Sequence, residues 1–419
     1  MSSVKAPRIL LIGTADTKSD ELLFLRRRIE EGGGDVLVMD VGILGNAPFD
    51  SEIPNAEVAA AAGVTLEQLS DLGDENAAMS LMAKGAACLA GALYTEGRID
   101  GMLALGGTMG TDLALDAAAA LPVGVPKVVV STIAYSHLVP PERIPADLIM
   151  LLWSGGLYGL NSLCRSSLAQ AAGAILGACR LAQPPCFDRP LIGITSLGSS
   201  ALSYMKRLKP ALEARGYEVA VFHTTGMGGR AFESLAEQGR FAAVFDFSLQ
   251  ELANHIGGSC VTAGASRLTG AGRAGIPQIV APGATDMVDY PTWATPPARL
   301  AGLPSHAHNR LIASSLCDHD LRCEIAREIA ARLGSASGPC CLLLPLHGIE
   351  EWDRPGQALH DAGGLAAFVA ALREAVKAPA ELVEIDAHIN DAAFSDAALA
   401  LFDRWVATGH IVPGIVKLA

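Results

Sequence analysis

Short apolar runs and helical patterns alternate along the chain. Residues 9–12 form an apolar run of strand length. Residues 20–31 place Leu22, Leu23, Leu25 and Ile29 at helical spacing, and three glycines at 32–34 stop that helix. A second strand is predicted over 36–39, ending at Asp40. A loop rich in Gly, Pro and Asn follows over 42–54. A helical pattern covers about residues 75–95, and strands are predicted over 102–105, 127–130 and 148–152. The apolar run 148–153 reads as a buried strand, and 161–180 as a long Ala-rich helix. At 183–190 (Gln-Pro-Pro-Cys-Phe-Asp-Arg-Pro) prolines cluster and polarity rises, and a fresh strand then begins at Leu191.

What begins at Leu191 echoes what began near Leu10. Leu-Ile-Gly-Thr-Ala-Asp at 11–16 is answered by Leu-Ile-Gly-Ile-Thr-Ser at 191–196. Gly-Val-Pro-Lys-Val-Val-Val at 124–130 is answered by Gly-Ile-Pro-Gln-Ile-Val-Ala at 275–281. The expected fold class is therefore α/β, with two Rossmann-like doubly wound domains of mainly parallel strands facing a central cleft. The expected domains are residues 1–182 and 191–419, joined by a linker at 183–190.

Composition narrows the partners. The chain has 419 residues, half of them hydrophobic and only 5% aromatic, so its cores are aliphatic. The net charge of −13 argues against a nucleic-acid surface but leaves room for a small anion bound by backbone dipoles. Nine cysteines without a Cys-x-x-Cys pair, two of them adjacent at 340 and 341, read as reduced thiols of a cytoplasmic protein. No apolar run is expected to cross a bilayer.

Candidate chemistry lies just after strands. The strand at 102–105 runs into Gly106, Gly107, Thr108, Met109, Gly110 and Thr111, and an Ala-rich helical pattern follows. That order aims free N–H groups at an anion above the turn. Two glycines let a ligand approach the backbone, and the threonines offer hydroxyls to cap the helix or bind phosphate. The plain alternative is a tight turn without a ligand. Asp16, Thr17 and Lys18 follow the first strand: Asp16 or Thr17 could cap the helix, and Lys18 could reach an anion. Asp40 stands where a ribose-binding acid would, and Thr132 follows the strand 127–130.

No P-loop pattern occurs. The Gly270, Gly272 and Gly275 triplet precedes a strand instead of following one, so it is not a dinucleotide fingerprint. Further glycine-hydroxyl turns lie around Ser196 and Ser199, at 224–229 and at 257–266, with Arg230 and Arg267 beside two of them. Asp286 follows the strand 278–281. His306 and His308 are read as opening a helix, and His347 follows another strand, with Glu350 and Glu351 next. These are acid/base candidates; no third strong ligand makes the histidines a metal site.

Five stretches together resemble one family. They are Ile-Gly-Thr-Ala-Asp-Thr-Lys-Ser-Asp-Glu at 12–21, Leu-Gly-Gly-Thr-Met-Gly-Thr at 105–111, Gly-Gly-Ser-Cys-Val-Thr-Ala-Gly-Ala at 257–265, Ala-Pro-Gly-Ala-Thr-Asp at 281–286 and His-Ala-His-Asn-Arg at 306–310. The family is a largely uncharacterised one similar to the N-terminal ATP-binding region of the tomato mosaic virus resistance protein. The resemblance covers essentially the whole chain. It implies two α/β subdomains, ATP binding, and homodimers or larger homo-oligomers. It also implies that the TIM-barrel-like region into which the plant protein continues is absent here.

The function expected from residues and resemblance together is binding of ATP with Mg²⁺ in the cleft. Asp16, Thr17, Lys18, Asp40, Gly106, Gly107, Thr108, Gly110, Thr111, Thr132, Ser196 and Ser199 would hold the nucleotide. Asp286, His306, His308 and His347 would be available for catalysis. The alternatives are an enzyme of a small carboxylate or sugar without ATP, or a regulatory binding module without turnover.

Overall fold

The structure is a computed structural model that describes residues 5–416 except 46, 184, 187, 199–202 and 358. Two compact units divide it, Met1–Cys186 and Phe187–Ala419.

The N-terminal unit runs β1 (Arg8–Gly13), α1 (Ser19–Glu31), β2 (Asp35–Asp40), α2 (Asn55–Ala61), α3 (Leu66–Asp71), α4 (Glu75–Thr95), β3 (Gly101–Gly106), α5 (Thr108–Ala119), β4 (Lys127–Ser131), β5 (Ile149–Leu152) and α6 (Ser162–Leu181). Its sheet is parallel, in the order β2-β1-β3-β4-β5. Strand alternation feeds two cores. Leu10 and Ile12 of β1 pack with α2, α4 and α5, and Ile9 and Leu11 pack with α1 and α6. β5 is an edge strand, and Ile149 and Leu152 are each 45% exposed. The buried strand expected at 148–153 is thus half-exposed, because nothing in the sheet lies beyond it.

Among the described residues one helix, α4, is long and apolar enough to cross a membrane by length and composition. The sequence reading expected none. Met82, Ala83, Ala86 and Ala90 of α4 are buried in the core it shares with α2 and α5.

The C-terminal unit runs β6 (Leu191–Ser196), α7 (Ser203–Ala214), β7 (Glu218–His223), α8 (Met227–Glu237), β8 (Ala243–Asp246), α9 (Gln250–Ile256), α10 (Gly270–Arg273) and β9 (Gln278–Val280). It continues with β10 (Met287–Pro291), β11 (Ser305–Ala307), β12 (Ile312–Leu316), α11 (His319–Leu333), β13 (Cys340–Pro345), α12 (Ala362–Ala375), β14 (Glu381–Ile385) and α13 (Ala392–Ala407). Its six-stranded parallel sheet has the order β14-β13-β9-β8-β6-β7, and β10-β12-β11 form a small antiparallel sheet.

Both large sheets start alike: the second strand lies on one side of the first and the third on the other. That order creates a switch point where the chain leaves the first strand in opposite directions, and ligands of such sheets bind beyond the strand ends there. The mixed α/β class and the Rossmann-like parallel sheets are as the alternating pattern predicts.

At the C-terminal unit's switch point lies a charged network with no exposed part. Arg267 is fully buried. Its Nε donates to Glu251 (3.0 Å), and Nη1 donates to Glu233 (3.0 Å) and Asp246 (2.5 Å). Nη2 donates to Asp246 (2.6 Å) and the Ser248 carbonyl (2.9 Å). Gly229 closes the packing, because a Cβ there would stand 1.6 Å from the Glu251 carboxylate. Arg267→Met would leave three buried carboxylates without their cation, so the C-terminal unit should lose about 3–5 kcal/mol. The check is the urea midpoint of its unfolding; a change under about 1 kcal/mol would show that the network carries little of the fold.

Candidate functional site

In the N-terminal unit the turns after β1 and β3 meet around a cavity of about 570 Å³. Thr14, Asp16, Thr17 and Lys18 line one side. Gly106, Gly107, Thr108, Met109 and Gly110 line another, and Ile43, Leu44, Glu75, Met79 and Tyr158 complete it. This is the switch point of the five-stranded sheet. Seven of the residues expected to hold a nucleotide are together here: Asp16, Thr17, Lys18, Gly106, Gly107, Thr108 and Gly110.

Helix beginnings give the cavity its electrostatics. The first N–H groups of a helix have no partner inside it. Side chains supply one at three helices of this unit, where Thr65 caps α3, Asp74 caps α4 and Asn161 caps α6; α2, which Pro54 begins, has no side-chain cap and does not line this cavity. The positions that begin α1 and α5, Lys18 and Gly107, make no side-chain cap, so both helices present amides to the cavity edge. Asp20 and Glu21 in the first turn of α1 already offset its positive end. α5 has no acidic residue in its first turn, so it is the stronger seat for an anion.

The two glycines after β3 differ. A Cβ on Gly106 would stand 2.5 Å from Gly110 Cα, so Gly106 is required by the turn itself. A Cβ on Gly107 would meet only Thr132 Oγ1, at 3.8 Å, and so has space. Lys18 is held over the Tyr158 ring, its Nζ 4.9 Å from the centroid, and the neighbouring Gly159 amide is anchored on Glu21.

Several expected roles change. Neither Asp16 nor Thr17 caps α1. Asp16 Oδ2 instead accepts the Leu44 and Gly45 amides, while its buried Oδ1 has no hydrogen-bond partner. Asp40 is not a solvated strand end. Its Oδ1 accepts the Ala15 and Gly42 amides (2.9 and 2.8 Å), tying the β1 turn to the end of β2, and burial raises its pKa. Thr111 is fully buried and bonds Ser131 (2.7 Å), so its hydroxyl is unavailable to a phosphate. Thr132 donates its amide to the Gly106 carbonyl and does not line the cavity.

In the C-terminal unit the protein's own carboxylates fill the expected anion turn at 224–229 and the amides that open α10. Glu251 accepts the Gly226 (2.5 Å) and Gly229 (3.1 Å) amides at the start of α8. Glu233 accepts the Leu268, Thr269 and Gly270 amides at the start of α10. Arg267, expected beside an anion-binding turn, is instead the counter-charge of these acids. In the 257–266 loop, Ser259 and Thr262 accept the Val261 and Gly264 amides. Ser196 is buried and bonded within the fold, and Ser199 lies outside the described residues.

The residues expected to act in catalysis separate. His306 and His308 do not open a helix: β11 and β12 form a hairpin, and Asn309 Oδ1 accepts the Leu311 and Ile312 amides in its turn. Both imidazoles pack on Trp352, with ring centroids at 5.3 and 5.5 Å. His308 lines a cavity of about 260 Å³ with His223, Gln250, Asp289, Ile312 and Trp352 among others. Asp286, expected at a cleft, is 1% exposed. Neither of its oxygens finds a partner in another residue. Burial raises its pKa, Arg322 partly offsets this and Asp353 adds to it; Glu350 is raised by its own burial and by Asp286. His347 is on the surface with Asp386 (2.6 Å).

Sequence reasoning missed Asp289, Gln250, His223 and Trp352 as cavity residues. The polar position inside the apolar strand Met287–Pro291 was the available signal for Asp289. Its carboxyl is 5% exposed, accepts from Ser314, and is pushed up to about 6 by burial. Among the described residues no group of three or more His, Cys, Asp or Glu side chains is arranged to hold a metal.

Fold and site define a two-unit Rossmann-like α/β protein with an anion-ready turn in its first unit. The chain belongs to the uncharacterised protein family UPF0261, whose N-terminal domain matches residues 7–184 and whose C-terminal domain matches 189–406. It is 56% identical to a UPF0261 protein of Brucella melitensis over 98% of both chains. It is 36% identical to one of Clostridium tetani over 93% of this chain and 96% of that one. It is 28% identical to the ToMV resistance protein Tm-1(GCR237) of Solanum lycopersicum, over 95% of this chain and 55% of the tomato protein. Both family domains are present, so the expectation of a missing C-terminal region gains no support. The glycosyltransferase SnogD of Streptomyces nogalater aligns over 94% of this chain and all of that one, at 14% identity and a TM-score of 0.19; this carries no argument.

The buried acids set a pH dependence. Asp286 and Glu350 are raised, Asp289 stands at about 6 and Glu251 at about 7. The folded unit keeps protons that the unfolded chain releases near pH 4, so the stability these four acids contribute is full below pH 4 and is lost as pH rises through 6 and 7. The melting temperature of the C-terminal unit should fall between pH 5 and 8. Asp286→Asn should flatten that slope and melt above the parent at pH 8, and a parallel slope would show that Asp286 ionises as freely folded as unfolded.

Proposed function

We propose that the N-terminal unit binds a nucleotide, ATP with Mg²⁺, its phosphates resting on the amides that open α5. One observation carries this reading: two helices without side-chain caps, and the ammonium of Lys18, converge on one cavity at the switch point. The C-terminal unit supports it by example, since the amides that open α8 and α10 hold carboxylates of the protein itself. Negative charge is what such positions bind. The cavity, about 570 Å³, falls within the ~300–1,000 Å³ of small-molecule sites.

Mg²⁺ fits the donor set in one respect. Asp16 carries a buried oxygen without a partner beside the proposed phosphate seat, and Mg²⁺ is held by one or two carboxylates together with phosphate oxygens. The ion would neutralise phosphate charge that Asp16 and Glu75 otherwise repel. The resemblance to the ATP-binding region of the tomato protein supports a nucleotide over other phosphates. Of the four residues expected to act chemically, His308 alone lines one of the cavities described above, so the role proposed is binding. A reducing cytoplasm suits the buried thiols Cys164, Cys317, Cys340 and Cys341, which form no disulfide.

Mg-ATP at about 100 times its Kd should stabilise the N-terminal unit by about 2.7 kcal/mol. For a unit of this size that raises its melting temperature by roughly 5–10 °C. Gly107→Ala combined with Thr108→Val should remove most of the shift while leaving the unliganded transition in place, because the added Cβ has room. If ATP, ADP and GTP with Mg²⁺ each leave the melting curve unmoved, the nucleotide reading is wrong.

A further inference from the structure

The cavity of the C-terminal unit differs in kind from the one in the N-terminal unit. No Lys or Arg is among its described lining residues, and its walls are mostly apolar, with Met287 and Ile312 against the indole of Trp352. A phosphate or carboxylate would find imidazoles there, His223 and His308, but no permanent cation among the described lining residues. At about 260 Å³ it is smaller than the ~300–1,000 Å³ typical of sites for drug-sized ligands, so it suits a single ring system instead of a whole nucleotide.

Its polar groups ask for a donor. Gln250 begins α9, is 1% exposed and lines the cavity. Its amide faces Asp289, yet its Oε1 is buried without any hydrogen-bond partner. An orphaned buried acceptor is costly, and a ligand N–H bonded to it would recover that cost. Asp289 lies beside it and is also an acceptor when ionised. Trp352 is fixed for stacking: its amide donates to Glu350 Oε2 (2.7 Å), and the rings of His306 and His308 buttress it.

We propose that this cavity binds a small, uncharged, planar nitrogen heterocycle carrying N–H donors, of the aminopurine or aminopyrimidine type, with its ring against Trp352 and an N–H bonded to Gln250 Oε1. The two polar acceptors fix the ring's orientation, and the apolar walls supply the affinity. This second site is independent of the phosphate seat in the N-terminal unit.

The test uses the full chain and the free bases adenine and cytosine. One of them should quench tryptophan fluorescence saturably and raise the melting temperature of the C-terminal unit. Trp352→Phe should abolish the quench although three other tryptophans remain. Gln250→Met should weaken binding at least about tenfold, the equivalent of 1.4 kcal/mol, and should leave the Mg-ATP shift of the N-terminal unit untouched. If Gln250→Met does not fold, fully N-methylated adenine, which keeps the rings without the N–H donors, should bind at least about tenfold more weakly to the parent protein. The proposal is overturned if neither base quenches or stabilises. It is equally overturned if the methylated base binds as well as adenine, if the quench persists in Trp352→Phe, or if benzoate binds as tightly.

Discussion

A helix that leaves a parallel strand begins with amides that its own turn cannot bond, and a doubly wound sheet gathers those beginnings along one edge. Much of the structure follows from how that requirement is met. Thr65, Asp74 and Asn161 meet it locally, from the residue that starts the helix. Glu251 and Glu233 meet it from a distance, reaching amides of segments 22 to 37 residues away in sequence. At α1 and α5, as at α2, α9 and α13, the residue that starts the helix makes no side-chain cap. Two sheets with the same initial strand order thus differ in where they leave positive potential for a ligand.

The remote solution brings its own requirement. Carboxylates taken out of water need a counter-charge, and in the C-terminal unit one guanidinium touches Glu233, Asp246 and Glu251 together. Arginine suits this because its planar fork presents five donors, where a lysine would present three from a single point. Burial holds Glu251 and Glu233 above the ordinary carboxylate range despite that guanidinium, and Asp246 adds to the rise of Glu233. Asp246 closes the end of β8 and receives the Thr195 hydroxyl as well (2.7 Å), so the network ties the ends of β6 and β8 together beneath the smaller cavity.

The sequence made the strands, the alternation and the family legible, because apolar runs of strand length and helical spacing are local signals. The N-terminal cavity was legible for the same reason: most of its residues come from two contiguous turns, 14–18 and 106–110. Asp40 and Thr111 lie in those same neighbourhoods, but their side chains bond inward, and spacing carries no direction. Arg267 looked like an anion-binding residue because residue type does not say which anion; its partners lie 16 to 34 residues away. The hairpin was misread because Leu311 and Ile312 resemble the first apolar pair of a helix, whereas Asn309 turns the chain and the helix waits for Asp318 to cap α11. Trp352 and His308 lie 44 residues apart, and only the fold brings them together.

The hairpin also separates two kinds of constraint on future sequence change. β11 is exposed along its length and pairs only with β12, while the Arg267 network and the cores of the six-stranded sheet lie elsewhere in the unit. Residues 305–311 can therefore be exchanged at little cost to stability, as exposed loops and edge strands generally can. Selection on what the smaller cavity accepts can act through this ribbon, whose His306 and His308 also pack on Trp352 behind it. Diversification of recognition need not pass through the buried ion network, where a single added methyl group at Gly229 would be felt.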